Sequence, residues 1–213
     1  VGPTGCGKTT MINLLMRFYD PDSGSILVDG RDVRTYDKDA LHRKFGVVFQ
    51  NDLVFNESLR DNINFGRGLG EAALHSAARD AQAWEFIDGL PDGLDHMADI
   101  KGANLSGGQR QRVLIGRALA GNAEILVLDD ASSALDYKTD ARLRKALQEH
   151  HSGSTLILIA QRVSSIRNLD HILVMDNGHA IGYGTHEELL EHCAAYRDIC
   201  QAQMGDISGK EGA

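Results

Sequence analysis

Residues Val1 to Thr10 read VGPTGCGKTT, and the fold class follows from this stretch. Gly2, Gly7, Lys8 and Thr9 satisfy the spacing G-x-x-x-x-G-K-[ST] of a phosphate-binding loop. Glycines let consecutive backbone N–H groups curl into a nest around an anion. Lys8 has the reach for the β- and γ-phosphates, the Thr9 hydroxyl is placed to ligate Mg²⁺, and the helix that begins here turns its positive N-terminus toward the phosphates. The candidate nucleotide-binding set is therefore Gly2, Pro3, Thr4, Gly5, Cys6, Gly7, Lys8, Thr9 and Thr10. Such a pattern arises by chance in about one unrelated chain of this length in a hundred, so the residues downstream decide the reading.

The 213 residues suit one domain with a substantial core, and 42% hydrophobic content is ordinary for globular proteins. A formal charge of −8 argues against a general nucleic-acid or acidic-membrane surface, although a local nest of amides still accepts ATP. No apolar run approaches the ~18 residues that would span a bilayer. The three cysteines, Cys6, Cys193 and Cys200, suit a reducing compartment rather than a disulfide scaffold. Cys6 reads as a small filler of the phosphate loop that is open to oxidation or alkylation. The nine histidines are scattered and show no zinc spacing.

Working outward, Lys8 to Phe18 carries a helical stripe, and Ser25 to Asp29 reads as a short strand. Asp39 to Lys44 reads as a brief helix, and Phe45 to Phe49 (FGVVF) as a strand buried on both faces. Gln50 follows at its C-terminal end, where ligands bind in open α/β sheets. Glu71 to Leu90 reads as one helix, with Trp84 in the core. Ile125 to Leu128 and Thr155 to Ala160 are buried strands, the first closed by Asp129-Asp130 and the second followed by Gln161. Strands at 171–175 and 180–183 flank the turn Asn177-Gly178. Thr185 and Glu188 form a capping box that opens a final helix to about Met204. Alternating strands and helices predict a mostly parallel sheet wrapped by helices. A loop of the Gly2–Thr9 kind follows a buried strand; only Val1 precedes it, so the chain is expected to be a fragment without its N-terminal strands, weak in stability and in ATP binding.

Two further motifs carry chemistry. Asp129 closes an apolar strand as a Mg²⁺ ligand does in a phosphate-loop ATPase. Leu105-Ser106-Gly107-Gly108-Gln109 places a serine and two glycines where a helix starts, offering amides and a hydroxyl to an anion. Arg112 and Arg117, further along that helix, are expected to support it.

Phosphate loop, LSGGQ and strand-end Asp, in this order, resemble the nucleotide-binding domain of ABC transporters over Gly2 to about Met204. The resemblance implies a P-loop NTPase of ABC type: a RecA-like core at 1–50 and 121–204, a helical signature subdomain at about 51–120, and a frayed tail at 205–213. It implies that Gln50 senses Mg²⁺ and the attacking water and touches the membrane domain. It also implies that Ser133 to Asp136 (SALD) speaks across a dimer through Asp136, and that Leu105 to Gln109 bind ATP held by a second ABC ATPase subunit. ATP and Mg²⁺ are the implied cofactors, and a transmembrane domain at the cytoplasmic face of the inner membrane is the implied partner; no nucleic acid is expected. NESLRDNINFG and GYGTHEELLE resemble exporters, whereas MADIK at 97–101 departs from the exporters' acidic segment.

Two departures matter more. Asp130 stands where the family has Glu, and Gln161 where it has His; both positions are catalytic in the family. With LSGGQ intact, this combination resembles the degenerate-site half of a heterodimeric bacterial ABC exporter. Two other functions stay open at this point: a soluble ABC ATPase acting on nucleic acid or ribosomes, and a mainly ATP-binding regulatory module.

Overall fold

The computed structural model describes residues 1–160 and 162–208. Contacts divide them into two units, Val1–Ile26 with the chain from Leu158 onward, and Leu27–Ile157. In chain order, α1 (Lys8–Leu15) starts at Gly7 and ends before Arg17, which takes a left-handed φ of 58°. Where one strand is expected at 25–29, two short ones form, β1 (Leu27–Val28) and β2 (Arg31–Asp32), paired antiparallel. The Asp29-Gly30 turn between them holds φ values of 50° and 74°, the hairpin geometry that Asp-Gly favours. The next elements are α2 (Lys38–His42), capped by Asp37, β3 (Phe45–Val48) and α3 (Leu59–Asn64), capped by Ser58.

The single helix expected over 71–90 is two, α4 (Glu71–Asp80) and α5 (Trp84–Asp88). Gln82 takes a left-handed φ of 59° and breaks the helical ladder without Gly or Pro. The expected core residue Trp84 is only half-buried; its ring lies 4.1 Å from that of His75. There follow α6 (Gly107–Leu119), β4 (Ile125–Asp129), α7 (Tyr137–His150), β5 (Thr155–Ile159) and α8 (Val163–Ile166). The hairpin β6 (Ile172–Asp176) and β7 (His179–Gly184) turns at Asn177-Gly178. The final helix is also two, α9 (His186–His192) and α10 (Ala194–Ser208). Between them Cys193 is extended (φ −119°, ψ 103°), so that Leu189 on one side and Tyr196 and Cys200 on the other all reach the same core. The helix thus runs past Met204 to Ser208; residues 209–213, like Gln161, lie outside the described residues.

The unit Leu27–Ile157 is built on a sheet of order β3-β4-β5. β3 and β4 run parallel, Phe45 opposite Ile125 and Val48 opposite Leu128. Val48, Leu126, Val127 and Leu128 are buried, as expected of a sheet covered by helices. α6 lies directly on β3: a Cβ on Gly46 would sit 2.3 Å from the Ala118 carbonyl oxygen. α3 and α4 pack against α6, where a Cβ on Gly116 would stand 3.6 Å from Ile63 and Ala81.

In the other unit, β6 and β7 pair antiparallel with a bulge at Val174/Met175. Their core joins Ile166, Ile172, Val174, Leu189, Cys193, Tyr196 and Cys200. Val1 pairs with β6 like a parallel strand: its nitrogen donates to Leu173 O at 2.6 Å, and its carbonyl accepts from Met175 N at 2.8 Å. The phosphate loop therefore leaves from a residue fixed to the β6 ladder.

Candidate functional site

The loop Gly2–Gly7 curls against the β6–β7 hairpin. Gly2 passes so close to β6 that a Cβ would meet the Met175 carbonyl oxygen at 2.1 Å, and Gly178 N donates to Cys6 O at 3.1 Å. Gly5 and Gly7 hold φ values of 82° and 101°, which L side chains avoid. Gly7 begins α1 with no side chain to occupy its first amides, which leaves them for an anion. Lys8 Nζ folds over the loop, 2.9 Å from Gly2 O and 2.8 Å from Pro3 O, with Cys6 Sγ at 3.5 Å. Neutral carbonyls hold an ammonium less strongly than a phosphate would, so this arrangement fits a polyphosphate. Cys6 is buried and fills the loop from beneath, while Pro3, Thr4, Gly5, Thr9 and Thr10 are exposed.

The signature lies in the other unit. Leu105 is buried and anchors the turn. Ser106 caps α6, its Oγ accepting from Gln109 N at 3.2 Å, while Gln109 Oε1 accepts from Ser106 N at 2.8 Å. The two side chains thus satisfy each other in a capping box. Arg112 braces this end: Nε donates to Gly108 O at 3.2 Å, Nη1 to Gln82 O at 2.8 Å, and the guanidinium stacks over Phe86.

The same unit carries the strand-end carboxylates. In the parallel β3–β4 register Gln50 and Asp129 leave the sheet at one C-terminal edge, Gln50 exposed and Asp129 buried. A buried carboxylate such as that of Asp129 is the kind of oxygen donor a hard cation takes. Asp130 follows in the left-handed region, φ 54°, where Asp is among the better tolerated non-glycine residues. The loop closes at Asp136, which caps α7: its carboxylate accepts from Thr139 N at 2.9 Å and from Thr139 Oγ1 at 2.8 Å. Those bonds, the backbone one first, hold its pKa below the usual carboxylate range.

Arg117, expected to support the signature helix, acts elsewhere, and sequence reasoning passed over Asn62, Asn104 and the partner of His150 and His151. The buried Arg117 side chain reaches not to the signature but to the segment after Gln50. It donates to Asn62 O and Asn62 Oδ1, both at 2.9 Å, and to Leu53 O at 3.1 Å, beside the stacked rings of Phe55 and Phe65. Asn62 is fully buried and closes the 55–58 turn, accepting from Phe55 N at 2.8 Å and donating to Phe55 O and Ser58 O at 3.0 Å. Asn104, just before the signature, accepts from Asp99 N and donates to Met97 O, both at 2.9 Å. His150 Nδ1 and His151 Nε2 lie 2.7 and 3.0 Å from the Asp80 carboxylate and tie α7 to α4. The partners of Arg117, His150 and His151 stand far off in sequence, so no local pattern marks them.

The ABC transporter family profile matches residues 1–133. The chain belongs to the ABC transporter family. An ATP-dependent lipid A-core flippase of Photobacterium profundum is 45% identical to this ABC ATPase domain over 208 residues, 97% of the chain and 36% of the flippase. A beta-(1→2)glucan export ATP-binding/permease protein of Brucella melitensis is 43% identical over 203 residues, 95% of the chain and 34% of that protein. A solved bacterial Atm1-family ABC exporter with ATP bound superposes with a TM-score of 0.92 at 40% identity, covering 95% of the chain and 36% of the exporter. The chain therefore spans about a third of the length of these relatives. No helix among the described residues is long and apolar enough to cross a membrane.

Proposed function

We propose that this ABC ATPase domain binds ATP and Mg²⁺ and drives a bacterial exporter of the multidrug or lipid type. It would work at the cytoplasmic face of the inner membrane, joined to a transmembrane domain and paired head-to-tail with a second ABC ATPase subunit. The flippase and exporter names of the three relatives described above favour this over an ATPase acting on nucleic acid or ribosomes, as does the charge of −8.

In this reading Gly2 to Thr10 cradle the phosphates, Lys8 exchanges its carbonyl partners for them, and Thr9, Gln50 and Asp129 hold Mg²⁺. Leu105 to Gln109 complete the nucleotide site of the other subunit. ATP supplies the charge that draws the two subunits together, and Asp136 lies in the loop that links the sites. The RecA-like core at 1–50 and 121–204 and the helical subdomain at about 51–120 divide these tasks.

The observation that carries the finer reading is Asp130. It follows the buried Asp129 at the end of β4 where the family has Glu, and its carboxylate is shorter by one methylene, about 1.5 Å. Misplacement by about an ångström costs roughly a hundredfold, out of the 10²–10⁴-fold that a general base contributes. Gln161 offers a γ-phosphate a hydrogen bond but not the charge a histidine can carry. This chain's own site is thus slow, and most turnover falls to the partner's catalytic residues completed by Ser106–Gln109. Ser106→Arg in this chain tests the arrangement: the partner's ATP hydrolysis collapses, whereas undiminished hydrolysis refutes it.

A further inference from the structure

We infer that Gln111 is a positioning residue for ATP turnover, one that locks the 130–134 loop onto the signature helix. Gln111 lies two residues beyond the signature, half-buried on α6. Its Oε1 accepts from Ala134 N at 2.8 Å. Its Nε2 donates to Ser133 Oγ at 2.9 Å and, more weakly, to Asp130 O at 3.4 Å. One carboxamide is used in both senses at once, which no carboxylate, ammonium or thioether can do.

The signature backbone touches the same loop. A Cβ on Gly108 would stand 3.2 Å from Ala134 O, and one on Gly107 would stand 3.7 Å from Ala134 Cβ. Gly108 thus lets the loop lie closely against the helix, quite apart from any amide it offers an anion, whereas a side chain at Gly107 would make an ordinary contact. Within the loop, Ser133 N donates to Asp130 O at 3.2 Å, Leu135 N donates to Ser132 O at 3.0 Å, and Leu135 is buried. Asp130 holds its left-handed φ at the head of this loop, and Asp136 fixes its tail to α7. Gln111 makes one rigid piece of the helix that presents Ser106 to Gln109 and the loop that carries Asp130. A side chain bonded at both ends of its amide constrains that piece far more than either bond alone, and sub-ångström placement is what catalysis rewards.

The inference rests on the proposed reading that the signature completes a nucleotide site and that Asp130 belongs to another. Steady-state ATPase of the full transporter across ATP concentrations tests it. Gln111→Met keeps the stem and removes every polar bond; kcat is expected to fall about tenfold, with KM for ATP within about twofold of the parent. Gln111→Glu keeps the acceptor for Ala134 N–H and recovers part of that loss, a rescue that simple loss of packing does not produce. Ser133→Ala lowers kcat less, and the double variant Gln111→Met/Ser133→Ala is no worse than Gln111→Met alone. Unchanged kcat in Gln111→Met, a change confined to KM, absence of rescue by Gln111→Glu, or additive losses in the double variant would each overturn the role. If Ser106→Arg leaves turnover intact, the signature reading itself has failed; if Ser106→Arg abolishes turnover and Gln111→Met does not, only the role of Gln111 has.

Discussion

Replacing Arg117 by Met is expected to destabilise the domain by about 2–3 kcal/mol, the upper range for losing hydrogen bonds from a charged donor. Arg117 is 5% exposed, and burial, more than any neighbour, pulls its pKa down from the usual arginine value; Asp52 opposes that pull. Three hydrogen bonds of 2.9 to 3.1 Å and an Asp52 contact at 3.4 Å hold the guanidinium, with Phe55 and Phe65 centroids at 5.0 and 4.8 Å. A hydrogen bond from a charged donor contributes about 1.5–3 kcal/mol, and a desolvated cation–π contact about 2. These do not add, because one side chain makes them all. The methionine stem also keeps part of the packing, so the estimate stays near the upper value for a single hydrogen bond from a charged donor. Against a typical total of about 5–15 kcal/mol, the domain stays folded but marginal. Arg117→Lys, which retains the charge but not the fork, should fall between the two. Urea unfolding of the protein measures the loss through the midpoint at constant slope, and hydrogen exchange should show protection falling first at 52–65. A loss below about 1 kcal/mol for Arg117→Met would refute the reasoning, since the bonds would then contribute no more than exposed ones.

Gly46→Ala should destabilise by about 1–3 kcal/mol, because the new methyl meets the Ala118 carbonyl oxygen at 2.3 Å and Leu126 at 2.9 Å; a thermal melt equal to the parent's would show that α6 does not lie on β3 as described. Asp136→Ala should lower the melting temperature at pH 7. Because the folded-state pKa of Asp136 is depressed by its bonds to Thr139, its stabilisation is present above the ordinary carboxylate range and is lost as pH falls through the lower folded value. The gap between parent and variant melts should therefore begin to narrow as pH falls below about 4 and keep narrowing as it falls further, and a gap that stays constant through the acid range would contradict the capping role.

The parts legible in the sequence are those whose partners are near in the chain. Gly2 to Thr9 is recognisable because its glycines, lysine and threonine act within one turn of one another, and Ser106 and Gln109 cap their own helix. The strand-end position of Asp129 was legible because an apolar run simply stops there. The Asp29-Gly30 hairpin had a local signal that the strand reading overrode. The helix breaks had none: Gln82 and Cys193 leave helical geometry without Gly or Pro, because tertiary packing favours the break. The side chains that assemble the signature unit, namely Gln111, Arg117, Asn62 and Asn104, look like ordinary helix and loop polar residues. Gln111 finds Ala134 twenty-three residues away and Arg117 finds Asn62 fifty-five away, and such distances leave no periodicity to read.

In the proposed asymmetric pair this chain lends its signature to a faster site and keeps a slower one. Steady-state ATP hydrolysis of the assembled transporter, with Asp130→Asn in this chain against the corresponding carboxylate change in the other subunit, tests it most directly. Asp130→Asn is expected to leave most of the turnover, while the change in the other subunit abolishes it. Equal loss from both changes would make Asp130 a working base and the motor a symmetric one.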